Sequence, residues 1–307
     1  MNSADLVQRH YSSTVVREEI AKFARNRWVA LQCTKALSNG RPVFLRYMAR
    51  PRTPIQVTDA RSIETLLERY GGLLPRTFYA TANIYRRLRG AEDALDLENV
   101  VACTPTWDID NEVDEWEATV EAAREIVSFL ETEGVGKSVY AKWSGRGCHV
   151  HLHEASMSPQ LAAMLHPLNI AYAIVEYVQE SLRQKIKQIS ARHKAYSMLV
   201  ENEMDPQRLF TCPLSLHKNL DRVCVCIGVN DLDAFTPEWT SPSSYRHFKH
   251  WGKHVAGEAD DLARKAYKEV GSYAEFPHTS RTRRPPADQE ITDRIMNRGS
   301  EHGRPTP

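Results

Sequence analysis

Ser144-Gly145-Arg146-Gly147-Cys148-His149-Val150-His151-Leu152-His153 joins a glycine-containing turn to an alternating segment, and its reading decides the fold. In a strand that starts at Cys148, successive side chains point to opposite faces. Cys148, Val150 and Leu152 then share one face and the three histidines the other. Ser138 to Lys142 reads as the partner strand, which makes the whole a hairpin closed through Trp143 and the two glycines. Gly145 and Gly147 allow backbone amides to approach an anion closely, and Ser144, Arg146 and a histidine add donors for phosphate oxygens. Histidines two apart on a strand also suit zinc or iron. A neighbouring arginine works against a cation, however, so His149 is read as a phosphate contact. His151 and His153 read equally well as half-buried strand residues with satisfied nitrogens. Trp143 reads as core before it reads as a ring that stacks on a base.

Working outward toward the N-terminus, Val100-Val101-Ala102-Cys103 and Trp107-Asp108-Ile109-Asp110 look like a strand carrying carboxylates. Residues two apart emerge side by side, so Asp108 and Asp110 face one way while Ile109 turns into the core. Two carboxylates that close repel unless cations lie between them, and hard oxygen ligands suit magnesium or manganese. Such a pair at a strand end is a common way to build a two-metal phosphoryl-transfer site, although the motif alone also arises as solvated surface. On the C-terminal side, Asp205-Pro206-Gln207-Arg208-Leu209-Phe210 is followed by Pro213-Leu214-Ser215-Leu216-His217-Lys218. It offers one more acid and further contacts for phosphate or sugar, and by itself would be a loop with incidental charges.

Between these motifs the hydrophobic periodicity is helical. Val113, Trp116, Val120, Ala123, Val127 and Leu130 mark one amphipathic face that stops at Gly134. Leu168, Tyr172, Val175, Val178, Leu182, Ile186 and Ile189 mark a long helix within residues 160–195. Earlier, Ile63, Leu66, Leu67 and Tyr70 form a stripe ended by Gly71-Gly72, and Val223 to Ile227 is a late strand. Strand, helix, hairpin, helix and strand in that order indicate α+β or mixed α/β with antiparallel pairing.

The chain has 307 residues, 42% of them hydrophobic and 26% charged, with a net charge of +1. That is the composition of a globular protein, and net charge alone names no nucleic-acid partner. No apolar run reaches membrane-spanning length and no secretory signal is recognisable, so the expectation is a cytoplasmic chain with no membrane partner. Cys33, Cys103, Cys148, Cys212, Cys224 and Cys226 contain no C-x-x-C pair. Cys212, Cys224, Cys226 and His217 could surround zinc, but the spacing is unusual and structural zinc is not expected. Residues 1–275 are read as one catalytic domain. Residues 276–307, with Arg281, Arg283 and Arg284, are read as a disordered basic, proline-containing tail or linker, for which an arm touching phosphates is the alternative.

Taken together and in this order, the three motifs resemble the archaeo-eukaryotic primase superfamily, and more closely the small catalytic subunit of DNA primase. Asp108 and Asp110 match its paired-acid strand. Ser144 to His149 match its S-G-R-x-G-x-H-like hairpin. Asp205, Arg208, Ser215, Leu216, His217 and Lys218 match its last motif. Phe78 to Tyr85 and the stretches Arg17 to Ile20 and Arg27-Trp28 look like its upstream regions, so the resemblance covers roughly residues 10–230. The zinc knuckle of many primase small subunits is not recognisable here.

The resemblance implies an RRM-like sheet joined to a second α/β unit with the active site between them. It implies a DNA primase or primase-polymerase, a template-directed nucleotidyltransferase in which Asp108, Asp110 and Asp205 hold two Mg2+ or Mn2+ ions. Ser144, Arg146, His149, Arg208, His217 and Lys218 would then hold the triphosphate. Its implied partners are a single-stranded DNA template and nucleoside triphosphates, with room for a further primase subunit, a helicase or a C-terminal module. The competing readings are a primer-dependent gap-filling polymerase of the same superfamily, a two-metal nuclease, and a catalytically silent single-strand-binding subunit.

Overall fold

The computed structural model describes residues 3–37, 39–49 and 52–273. In chain order the helices are α1 (Ser3–Tyr11), α2 (Thr14–Ala24), α3 (Ala60–Arg69), α4 (Trp116–Thr132), α5 (Pro159–Leu165), α6 (Pro167–His193) and α7 (Asp260–Val270). The strands are β1 (Val29–Ala36), β2 (Pro42–Leu45), β3 (Pro75–Thr81), β4 (Asn83–Tyr85), β5 (Val100–Cys103) and β6 (Thr106–Asp110). They continue with β7 (Val139–Trp143), β8 (Cys148–Leu152), β9 (Leu199–Glu201), β10 (Leu209–Thr211) and β11 (Val225–Ile227). The tail expected at 276–307 lies outside the described residues.

The strands form two main antiparallel sheets, one ordered β10-β3-β1-β2 and the other β11-β7-β8-β6-β9, plus a small β4-β5 ribbon. This is the expected α+β architecture. The central hairpin pairs Trp143 with Cys148, Lys142 with His149 and Ala141 with Val150, so its inward and outward faces alternate as the sequence pattern requires. Val150, Cys148, Trp107 and Ile109 fill the core under α4 and α6, and Trp107 donates its indole N–H to the Val175 carbonyl at 3.1 Å. One large core runs through both sheets, and a smaller one gathers Trp28, Tyr47, Tyr85, Leu88, Ala94 and Val100.

Three local expectations are corrected. Residues 100–110 are not one strand: β5 pairs with β4 and β6 belongs to the five-stranded sheet, with Pro105 in the break. Proline has no N–H for a ladder, so the chain changes sheets there. The long helix carries Leu168 to Ile189 unbroken as α6 but starts only at Pro167, because His166, with φ 62°, turns the chain by 91° and sets residues 159–165 apart as α5. After α3 the left-handed residue is Leu74, at φ 58°, and Gly71 to Leu73 form a short 3-10 turn instead of the cap. Gly134 does take the left-handed conformation after α4, at φ 82°. Among the described residues no single helix is long and apolar enough to cross a membrane.

Candidate active site

Strand register assembles the site. His149 pairs with Asp108 on one side and Lys142 on the other, Lys142 pairs with Cys226, and Asp108 pairs with Glu201. Directly opposed residues in antiparallel strands share a face. Cys226, Lys142, His149, Asp108 and Glu201 therefore form one row across the five-stranded sheet, on the face away from α4 and α6. Tyr79, Phe210 and Thr211 of the four-stranded sheet stand across from it, and between the two lies a cavity of about 630 Å3. Its walls carry Asp108, Asp110, Ser144, Arg146, His149, Arg208, His217 and Lys218. Eight of the nine residues singled out from sequence thus meet in one place between two sheets.

Asp205 is the exception, since it does not line that cavity. Its carboxylate accepts the Gln207 N–H at 2.6 Å, the local turn expected of an aspartate that starts a loop. Burial raises its pKa, against that hydrogen bond and the nearby Arg46. Two further acids that the sequence reading did not single out lie near Asp108: Glu201, set opposite it by strand register, and Glu203, which pairs with Arg208. The alternation of Leu199-Val200-Glu201 was the available signal for the first.

The two strand acids differ. Asp108 is 6% exposed; its Oδ2 accepts from Arg208 at 2.7 Å and its Oδ1 lies 3.2 Å from the His149 Nε2. Burial alone would raise its carboxyl, but His149, Arg208 and Lys142 together pull it below the usual carboxylate range. Asp110 lies at the strand end, and burial followed by the charge of Asp108 raises its carboxyl. Among the described residues no group of three or more His, Cys, Asp or Glu is arranged to hold a metal ion. Two carboxylates on one face, one held up in pKa by the other, still form a hard-oxygen donor pair that a divalent cation would relieve.

The opposite wall is built from the hairpin turn and the loop after Pro213. His217 is 9% exposed, and its Nδ1 accepts the N–H groups of Asn219 and Leu220 at 3.2 and 2.9 Å. Those two donors assign the ring proton to Nε2. Burial, followed by Lys218, Arg146 and Arg76, lowers its pKa to about 4, so it is a neutral ring with one N–H to give. Gly145 has φ 129°, and a Cβ there would lie 2.5 Å from the His217 ring. At Gly147 a Cβ would lie 2.2 Å from the Ile109 carbonyl. Both glycines are thus needed to press the turn against His217 and against the strand between the two acids. Tyr79, half-buried beside the cavity, donates to Gln32 at 3.1 Å, and burial raises its pKa to about 12.

The remaining candidates lie elsewhere. Trp143 is buried against Phe235 at 4.6 Å, on the core face. His151 is buried, bonds to the Thr106 hydroxyl at 2.8 Å and stacks on Tyr140. His153 accepts the Ala155 N–H and stacks on His254. The six cysteines are buried thiols.

No protein-family model and no curated protein sequence matches the chain. Solved structures do. The polymerase domain of Mycobacterium tuberculosis ligase D, in complex with DNA, aligns at a TM-score of 0.51 with 13% identity, over 87% of this chain and 88% of that one. The AEP domain of the cyanophage S-2L primase-polymerase aligns at a TM-score of only 0.32 with 11% identity, over 78% of this chain and 94% of its own. At 13% identity the first likeness is one of fold. The chain therefore has the fold of that ligase D polymerase domain.

Proposed function

We propose that the chain is a template-directed nucleotidyltransferase, a primase-polymerase that adds nucleotides from nucleoside triphosphates to a nucleic-acid strand. One observation carries this reading: a single cavity sets two strand carboxylates, Asp108 and Asp110, against six anion donors, Ser144, Arg146, His149, Arg208, His217 and Lys218. A nuclease needs the acids but has little use for that many triphosphate contacts.

Asp108 and Asp110 are the side chains that would hold Mg2+ or Mn2+; Asp205, the third acid of the motif match, and Glu201, the strand partner of Asp108, both lie outside the cavity lining. Divalent ions bound there would neutralise charge on the α-phosphate and on the departing pyrophosphate. The chain's own contribution is positional and electrostatic. Arg146 and Lys218 supply charge, Ser144 supplies a hydroxyl, and His217 supplies one fixed N–H. Arg208 is held by Asp108 and Glu203, so it is available to a phosphate only when it exchanges one carboxylate for another oxygen anion.

The test is incorporation of labelled nucleotides on single-stranded DNA, with and without an annealed primer, in Mg2+ and in Mn2+. Extension of the strand that depends on Asp108 and Asp110 supports the reading, and products without a primer establish priming. Degradation of the template without incorporation would establish the nuclease. Tight strand binding with no product in either metal would establish a binding subunit.

A further inference from the structure

Behind the cavity wall lies a charge that the scheme above does not use. Lys142 is wholly buried, at 0% exposure, and its ammonium finds no hydrogen-bond partner among the described residues. It sits 4.4 Å from the centre of the Phe23 ring and 5.7 Å from that of Phe210. Asp108 feels its charge, but no carboxylate is within hydrogen-bond reach of it, and those nearby are held by other cations. Asp108 is engaged by Arg208 and His149, and Glu154 is taken by Arg27 at 3.1 Å. Arg27 itself adds positive charge, and the other near neighbours are the thiols Cys212, Cys224 and Cys226. His149 Nδ1, His151 Nε2 and Asp108 Oδ1 are also buried without hydrogen-bond partners, so the polar atoms around Lys142 form an underpaired cluster. An ammonium in such a place costs folding free energy, and burial pulls its pKa down. A leucine or methionine would pack there at no such cost.

We propose that Lys142 is a positioning residue for the triphosphate, a buried charge fixed beneath His149 whose balancing anion is the polyphosphate that enters the cavity. This rests on the nucleotide-binding reading given above and adds to it a residue that touches neither substrate nor solvent. The strand pairing fixes the geometry: Lys142 and His149 are Cα partners on one face, and His149 lines the cavity. A charge held in a low-dielectric interior acts on an incoming anion without solvent rearrangement, whereas a charge at the rim is screened. The ammonium is therefore retained against stability, the trade expected of a site preorganised for its ligand.

The experiment is calorimetric titration of the wild type, Lys142→Met and Lys142→Gln with inorganic triphosphate and with a nucleoside triphosphate, beside thermal unfolding of each protein without ligand. Expected is a higher Tm for Lys142→Met and a loss of affinity for both ligands of about tenfold, the worth of one charge roughly 10 Å away at an intermediate dielectric. KM for the nucleotide should rise with it. Lys142→Gln should bind as weakly as Lys142→Met, because it restores a donor and not the charge. Unchanged affinity in a folded Lys142→Met, full rescue by Lys142→Gln, a fall in Tm, or failure to fold would each overturn the proposal. A wild-type chain that binds neither ligand would refute the nucleotide reading itself, and only the variants isolate the role of Lys142.

Discussion

Asp108 and Asp110 are two residues apart on one strand face, yet they stand in opposite electrostatic conditions. Asp110 is raised in pKa by burial and by its neighbour, so Asp110→Asn should leave stability unchanged or higher. Asp108 anchors Arg208 and His149, so Asp108→Ala should cost about 1–3 kcal/mol by leaving partly buried cations without their anion. Both substitutions should abolish nucleotide incorporation, and urea unfolding beside the activity assay separates the two effects. Equal stability losses would contradict the asymmetry. His217 gives a pH-dependent test. Its folded pKa of about 4 lies below the ordinary imidazole value of 6.5, so the unfolded chain takes up the extra proton between those values. The stability contributed by its neutrality is complete above about pH 6.5 and is lost as pH falls toward 4, by up to about 3 kcal/mol. His217→Gln should flatten the unfolding free energy between pH 6.5 and 5, a window above the range where most carboxylates titrate. At this scale the sequence showed which residues gather, because acids, glycines and donors recur at readable spacings. It did not show Lys142, because a lysine closing the segment Val139-Tyr140-Ala141-Lys142 reads as its solvent end, and only the sheet's register reveals that both sides are covered.

The hairpin of β7 and β8 is the element on which the site depends. Its alternation was legible because the residue period of two in Cys148 to Leu152 has one structural meaning. The reason for its glycines was not, since it lies in contacts with residues far along the chain. Gly145→Ala meets both an unfavourable φ of 129° and the His217 ring, and is expected to cost about 1–3 kcal/mol and to weaken triphosphate binding. Chemical denaturation and nucleotide titration measure the two losses; a variant with wild-type values in both would show that the turn does not need glycine. Other elements were less legible for equally physical reasons. The apolar stripe across α5 and α6 continues through the bend at His166, so periodicity alone merges two helices. Asp205, the acid of the last motif, follows β9, a strand of three residues, too short to announce its register.

At the scale of the molecule, the two sheets hold their facing surfaces apart around the cavity of about 630 Å3. Arg27 is one strut of that arrangement: it donates to the carbonyls of Thr81 and Ala82 at the end of the first sheet, to Thr104, and to Glu154 beyond the second. Burial would raise the Glu154 carboxyl, but Arg27 and its other partners bring it down to about 2. Arg27→Met should therefore cost about 3–5 kcal/mol, because it leaves a buried carboxylate without its cation, and thermal unfolding reads the loss. A shift in Tm of less than about 2 °C would remove the strut from the account. The fold class was legible from the order of strand, helix, hairpin and helix. How the two sheets face each other was not, because the contacts that set it join residues as distant as Phe23 and Trp251. The central claim is that the cavity between the sheets is a triphosphate site facing a paired-acid cation site. A crystal of the chain soaked with Mn2+ and a non-hydrolysable nucleoside triphosphate, read by anomalous scattering, tests it most directly. The expected map places manganese against Asp108 and Asp110, with the phosphates reaching Ser144, Arg146, His217 and Lys218. Manganese or nucleotide bound elsewhere, with this cavity holding neither at saturating concentrations, would contradict the account.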